Sequence, residues 1–133
     1  MAQPERRIQY EDEEIQADLL LRRADVRMGM KRSRLKEGSG WREEPDPDLQ
    51  ILRLFTYPDL VAATVSGRIS RRIQEEWQPL SWPLSFDDFL SLPEPFASAW
   101  ENACYALNGH WLPKPPEEKK ASTGQPATNS TAG

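Results

Sequence analysis

Glu11-Asp-Glu-Glu-Ile15-Gln-Ala-Asp-Leu-Leu-Leu21-Arg-Arg-Ala-Asp25-Val-Arg-Met-Gly-Met30-Lys-Arg-Ser-Arg-Leu-Lys36 decides how the chain is read. The stretch opens on four acids (Glu11, Asp12, Glu13, Glu14) and closes on four bases (Lys31, Arg32, Arg34, Lys36). That order suits a helix, whose positive N-terminal end favours acids and whose negative C-terminal end favours bases. Gly38 follows where a C-cap glycine commonly stands. Ile15, Leu19, Val26 and Met30 fall on one helical stripe, widened at the front by Leu20, Leu21 and Ala24. The pattern predicts one long helix over Glu11–Lys36, well packed in its first half.

Downstream, Asp46-Pro47-Asp48 reads as a helix start with an early proline. Leu49, Leu52, Phe55 and Leu60 keep a loose helical spacing. Tyr57-Pro58-Asp59 interrupts the run, so Thr56 is expected to cap a second short helix, Tyr57–Thr64. Val65–Ile73 alternates only in part and carries Gly67, which leaves strand, loop and helix open. Glu75–Leu84 is rich in Trp and Pro and reads as an extended connection. Ser85 with Asp88 three positions on forms a capping-box variant opening Phe86–Leu92. Pro93 and Glu94 start a last helix with the stripe Phe96, Trp100, Ala103 and Leu107, and Asn108-Gly109 is expected to stop it in the left-handed conformation.

These readings give a mainly α-helical, single-domain protein: a flexible N-terminus over residues 1–10, a helical domain over 11–111 and a disordered tail over 112–133. Composition agrees with that division. Leu, Ile, Val and Phe make up 26 of the 133 residues, just under the fraction of about 20% below which disorder becomes plausible. Without Leu112–Gly133 they make up 25 of 111, which clears it. A net charge of only −4, from 17 basic and 21 acidic residues, and five Trp also argue for a real core.

Chemistry is scarce. One Cys (Cys104) excludes a disulfide framework or a thiolate zinc cluster and fits a reducing compartment, while one His (His110) leaves little for metal or triad chemistry. No run reaches a membrane span, and Met1–Tyr10 lacks the apolar core of a signal peptide. Asp87-Asp88 and Glu75-Glu76 are adjacent pairs that point about 100° apart on a helix, too divergent to share one site. Cys104 reads as a buried filler and His110 as a ring packed at a helix end. No catalytic residue, metal ligand or cofactor site is assigned, and the chain is expected not to be an enzyme. The strongest charge feature is Arg22–Lys36, seven bases against Asp25 alone. No aromatic interleaves it, so a stacking surface for single strands is missing and nucleic acid is a minor alternative.

Three segments carry a family resemblance: Phe55-Thr-Tyr-Pro-Asp-Leu-Val-Ala-Ala-Thr64, Trp82-Pro-Leu-Ser-Phe-Asp-Asp-Phe-Leu-Ser-Leu-Pro-Glu94, and Trp100 through Leu107-Asn-Gly-His-Trp111. Over Phe55–Trp111 the sequence resembles small tail assembly chaperones of long-tailed phages and prophages, with Gly109 where that pattern would carry Pro. The resemblance implies a non-enzymatic helical protein in the host cytoplasm. Such a protein binds the phage tape measure protein and assists tail-tube assembly around it, without staying in the finished virion. It also implies that a longer form can arise by ribosomal frameshifting, for which Glu118-Lys119-Lys120 marks the place to look in the gene.

A chaperone for a long helical client needs an apolar groove with a charged rim rather than a deep pocket. The partner-binding residues expected are the basic Arg22, Arg23, Arg27, Lys31 and Arg32 together with Trp82, Phe86, Phe89 and Trp111. The alternative readings are a structural virion component, such as a head–tail or tail-completion protein, and a small nucleic-acid-binding regulator.

Overall fold

The computed structural model describes residues 4–112. Its elements run β1 (Glu5–Glu11), β2 (Ile15–Arg22), α1 (Val26–Glu37), a 3-10 turn Trp41–Glu43, α2 (Pro47–Ile51), a π-helical stretch Leu52–Thr56, α3 (Tyr57–Ala63), β3 (Thr64–Ile73), β4 (Glu76–Pro79), α4 (Phe86–Leu90), α5 (Glu94–Leu107) and a 3-10 turn Gly109–Trp111. The four strands form one antiparallel sheet in the order β1-β2-β3-β4. With 50% helix and 27% strand the protein is mixed α/β, and the expectation of a mainly helical fold is overturned.

The deciding stretch is two elements. Ile15, Ala17, Leu19 and Leu21 are all buried, and Gln16, Asp18, Leu20 and Arg22 alternate with them on the opposite face. The 15–19 spacing that suggested a helix also satisfies a period of two, and burial decides for the strand. The leading acids make a turn. Asp12 accepts the backbone N–H of Glu14 at 2.7 Å and of Ile15 at 2.8 Å. The Tyr10 hydroxyl donates to the same carboxylate at 2.7 Å and, with those N–H groups, holds it below the usual carboxylate range. Residues 5–10, expected to be flexible, belong to β1, with Ile8 opposite Leu19 and Tyr10 opposite Ala17. Residues 113–133, including Glu118-Lys119-Lys120 and almost all of the expected disordered tail, lie outside the described residues.

The helix begins only at Val26, where Asp25 accepts the Met28 N–H at 2.9 Å, and ends at Gly38 as expected. Val26 and Met30, assigned to a core stripe from the sequence, are 82% and 52% exposed. Pro58 does not break the second helical run. Tyr57 donates its N–H to Leu52 O, five residues back, and this wider π turn makes room for a proline that has no N–H and whose ring would strike the carbonyl of Leu54. Thr56 is therefore helical and caps nothing.

Val65–Ile73, left open by the sequence, belongs to β3. Ile69 pairs with Ala17 and Gly67 with Leu19, and the register shifts near Val65. The Trp/Pro connection contributes β4, joined to β3 by a two-residue turn in which Gln74 and Glu75 take φ of 52° and 68°. That turn suits Asn-Gly, and left-handed conformation costs other residues about 1 kcal/mol or more each. Gln74→Asn with Glu75→Gly is expected to raise stability by about 1–2 kcal/mol in urea denaturation, and an unchanged or lower midpoint would refute the strain.

α5 packs on the inner face of the sheet. Its Phe96 and Trp100 are fully buried; Phe96 lies 5.1 Å from the Tyr10 ring, and Trp100 stacks against both Phe96 and Trp82. The Trp100 indole N–H donates to Thr64 Oγ1 at 3.0 Å, and that hydroxyl donates in turn to Leu60 O at 2.7 Å, so the polar atoms of this core are paired. α5 ends without the expected left-handed stop. Asn108 is buried with φ −129°, and its side chain accepts the Ala24 N–H at 2.8 Å and donates to Arg22 O at 3.3 Å. Asn108 thereby ties the end of β2 to the end of α5.

Candidate functional site: an apolar groove with a cationic rim

Three segments distant in sequence meet where the C-terminal turns of α1, the π turn and the start of α4 converge. Leu35, Tyr57 and Phe86 line an open groove of about 280 Å³ there, with Arg34 and Arg53 on its rim and the Gly38-Ser39 backbone closing one end. Each wall has a local cause. Ser85 caps α4 by accepting the Asp88 N–H at 3.1 Å, which fixes Phe86 at the first helical position. Tyr57 is turned inward by the π stretch and donates its hydroxyl to Leu84 O. Its ring meets Phe86 edge-on at 5.5 Å.

Arg53 is held from three sides. Its Nε donates to Glu44 Oε1 at 2.7 Å, a second nitrogen donates to Ser39 O at 3.1 Å, and the guanidinium lies 4.2 Å from the Phe86 ring centre. Lys36 sits 4.9 Å over the Phe55 ring, and partial burial, followed by repulsion from Arg32, pushes its ammonium below the usual lysine range. The groove thus offers an apolar floor between the exposed Arg34 and an Arg53 whose charge Glu44 already pairs. Such a site can accept an apolar side chain flanked by acids, and it holds no group positioned for acid–base or nucleophilic chemistry.

A second polar cluster lies beside it and is closed. Asp59 on α3 is fully buried and accepts Arg32 Nε at 2.5 Å and the Tyr105 hydroxyl at 2.7 Å. The Arg32 guanidinium also lies 4.7 Å over the Trp111 ring. Cys104, buried against the Asp59 carbonyl, has its thiol pushed up to about 12, first by desolvation and then by the Asp59 charge, so it stays a protonated filler.

The structure separates the nine residues expected to bind a partner. Phe86 lines the groove, and Arg23, Arg27 and Lys31 are exposed. Arg32 is engaged by Asp59, and Arg22 lies 3.3 Å from Glu5. Phe89 and Trp111 are buried in the core, while Trp82 is half-buried against Trp100 and Gly67. These last five face inward or are paired within the chain. Tyr57 and Arg53 were missed, because neither belongs to a periodic stripe and the π turn that aims Tyr57 has no local signature beyond Pro58. Among the described residues no group of three His, Cys, Asp or Glu could hold a metal, and no helix is long and apolar enough to cross a membrane. Comparison with protein-family models, with curated proteins and with solved structures gives no match to this chain.

Proposed function

We propose that this chain is a non-enzymatic binding protein that acts as a phage tail assembly chaperone, holding a segment of the tape measure protein in the host cytoplasm while tail-tube subunits assemble. The observation that carries this reading is the open groove of Leu35, Tyr57 and Phe86 between Arg34 and Arg53. Its floor suits one or two apolar side chains and its rim suits flanking acids, which is how an amphipathic helix is gripped. The sequence resemblance over Phe55–Trp111 supplies the family, and the groove draws Tyr57 and Phe86 from that same span.

Co-expression with a phage tape measure protein tests the proposal. The two proteins are expected to co-purify, and Phe86→Ser with Arg34→Glu is expected to weaken that association about tenfold or more while circular dichroism stays unchanged. Undiminished co-purification by the folded variant would remove the groove from the reading. Mass spectrometry of finished particles is expected to find the chain absent, whereas its abundance there would make it a virion component and overturn the chaperone assignment.

A further inference from the structure

On the outward face of α1 Arg34 reaches the groove rim, while the first turns of the helix stand apart from it. Val26 and Met30, one helical turn apart, are 82% and 52% exposed. Arg27 and Lys31 run beside them with the same spacing, and Arg23 precedes the helix. None of these three bases is within ion-pair distance of an acid among the described residues. An apolar stripe lined with free cations calls for an occupant that carries both apolar and acidic groups.

We propose that this occupant is a second copy of the chain, whose far end of the sheet docks on α1 so that copies associate head to tail. The two hairpin tips lie side by side at that end, joined by a hydrogen bond from the Arg72 N–H to Glu14 O at 2.9 Å. Between them Glu11, Asp12, Glu13 and Glu75 line an open notch of about 600 Å³ with Trp77 and one base, Arg72, so acids outnumber bases there four to one, and Ile73 beside it is 44% exposed. Cations of α1 match the carboxylates, which outnumber Arg72, while Val26 and Met30 match Ile73; the Trp77 ring is already faced by Arg72 at 6.0 Å. The two surfaces cannot meet within one molecule. β2 runs from the acidic tip to Arg22, a span of about 25 Å. Because the surfaces differ, the contact is heterologous and propagates into rings or filaments. Exposed apolar residues within the cationic face favour a protein occupant over nucleic-acid phosphate, which would leave Val26 and Met30 in water. This association stands independently of the chaperone reading.

Sedimentation velocity over a concentration series tests it. The full chain is expected to form species above the monomer at about 50 mM salt and to lose them at about 500 mM, where surface charges are screened. Arg27→Glu with Lys31→Glu gives one variant and Glu13→Lys with Glu75→Lys another, all at exposed positions. Each alone is expected to be a folded monomer. Mixed, the native acidic end of one meets the native basic face of the other and the two reversed surfaces are complementary in turn, so assembly beyond the monomer is expected to return. A monomeric parent at low salt, assembly untouched by either variant, or a mixture that stays monomeric would each overturn the proposal. So would a salt-sensitive shift of an oligonucleotide by a chain that does not self-associate, which would assign the face to nucleic acid.

Discussion

Gly67→Ala is expected to lower the melting temperature by about 15 °C, from a loss of about 3 kcal/mol. A Cβ built on Gly67 would stand 2.5 Å from two atoms of the Trp82 ring and 2.9 Å from a third. The ring is rigid and cannot swing aside, because Trp82 stacks on Trp100 at 6.4 Å and Trp100 is tied to Thr64 through its indole N–H. Strand β3 is held in register there as well, since Gly67 is paired with Leu19 of β2. Glycine at this position is required by the close approach of an indole, not by backbone conformation. The double variant with Trp82→Ala checks the cause: it is expected to lose less than the sum of the single losses, since the added methyl then enters vacated space. A melting temperature within about 3 °C of the parent for Gly67→Ala would show that the ring yields.

Arg32→Ala is expected to cost about 3 kcal/mol in urea denaturation, while Arg27→Ala, one turn and one residue away, stays within about 0.5 kcal/mol. Both belong to the same basic run, yet their surroundings differ. Asp59 is fully buried, and without Arg32 its carboxylate keeps only the Tyr105 hydroxyl as a side-chain donor. The penalty comes from stranding that charge, so it falls at the low end for buried pairs because the Arg32 side chain itself is about one-fifth exposed. Adding Asp59→Asn to Arg32→Ala is expected to recover part of the loss by removing the charge left behind. Equal costs for Arg32→Ala and Arg27→Ala would return Arg32 to the free basic surface.

The contrast between these arginines explains how far the site could be read from sequence. Charge density located the basic run, but only tertiary packing shows that Arg32 turns toward α3 while Arg27 and Lys31 remain outside. The C-terminal half of the fold was legible because its signals are local: Ser85 caps α4 as its spacing indicates, and Phe96, Trp100 and Ala103 are buried along α5. The N-terminal half was not. Ile15 and Leu19 satisfy both periods, the outward Leu20 blurs the alternation, and the flanking acids and bases imitate the polarity of a helix. Their actual roles are separate, the acids turning a hairpin and the bases belonging partly to the end of β2 and partly to α1. The second hairpin had no Asn-Gly or Asp-Gly to announce it, because its turn is built from Gln74 and Glu75. In the groove Phe86 was anticipated, whereas Arg53 and Tyr57 owe their place to a π turn that carries the helix into Pro58 where a break was expected.

The insertion of residues 23–63 between neighbouring strands orders events during synthesis. The hairpin of β1 and β2 closes from adjacent residues, so it can form as soon as Arg22 leaves the ribosome. Its buried row of Ile15, Leu19 and Leu21 then waits for β3 and for the aromatic layer of Trp82, Phe96 and Trp100, which are made last. Bringing β3 onto β2 closes a long loop, the kind of non-local step that slows folding. A nascent chain halted before Trp82 therefore presents a half-sheet with one greasy side and no cover, which makes translation itself the interval in which this protein is most vulnerable to aggregation.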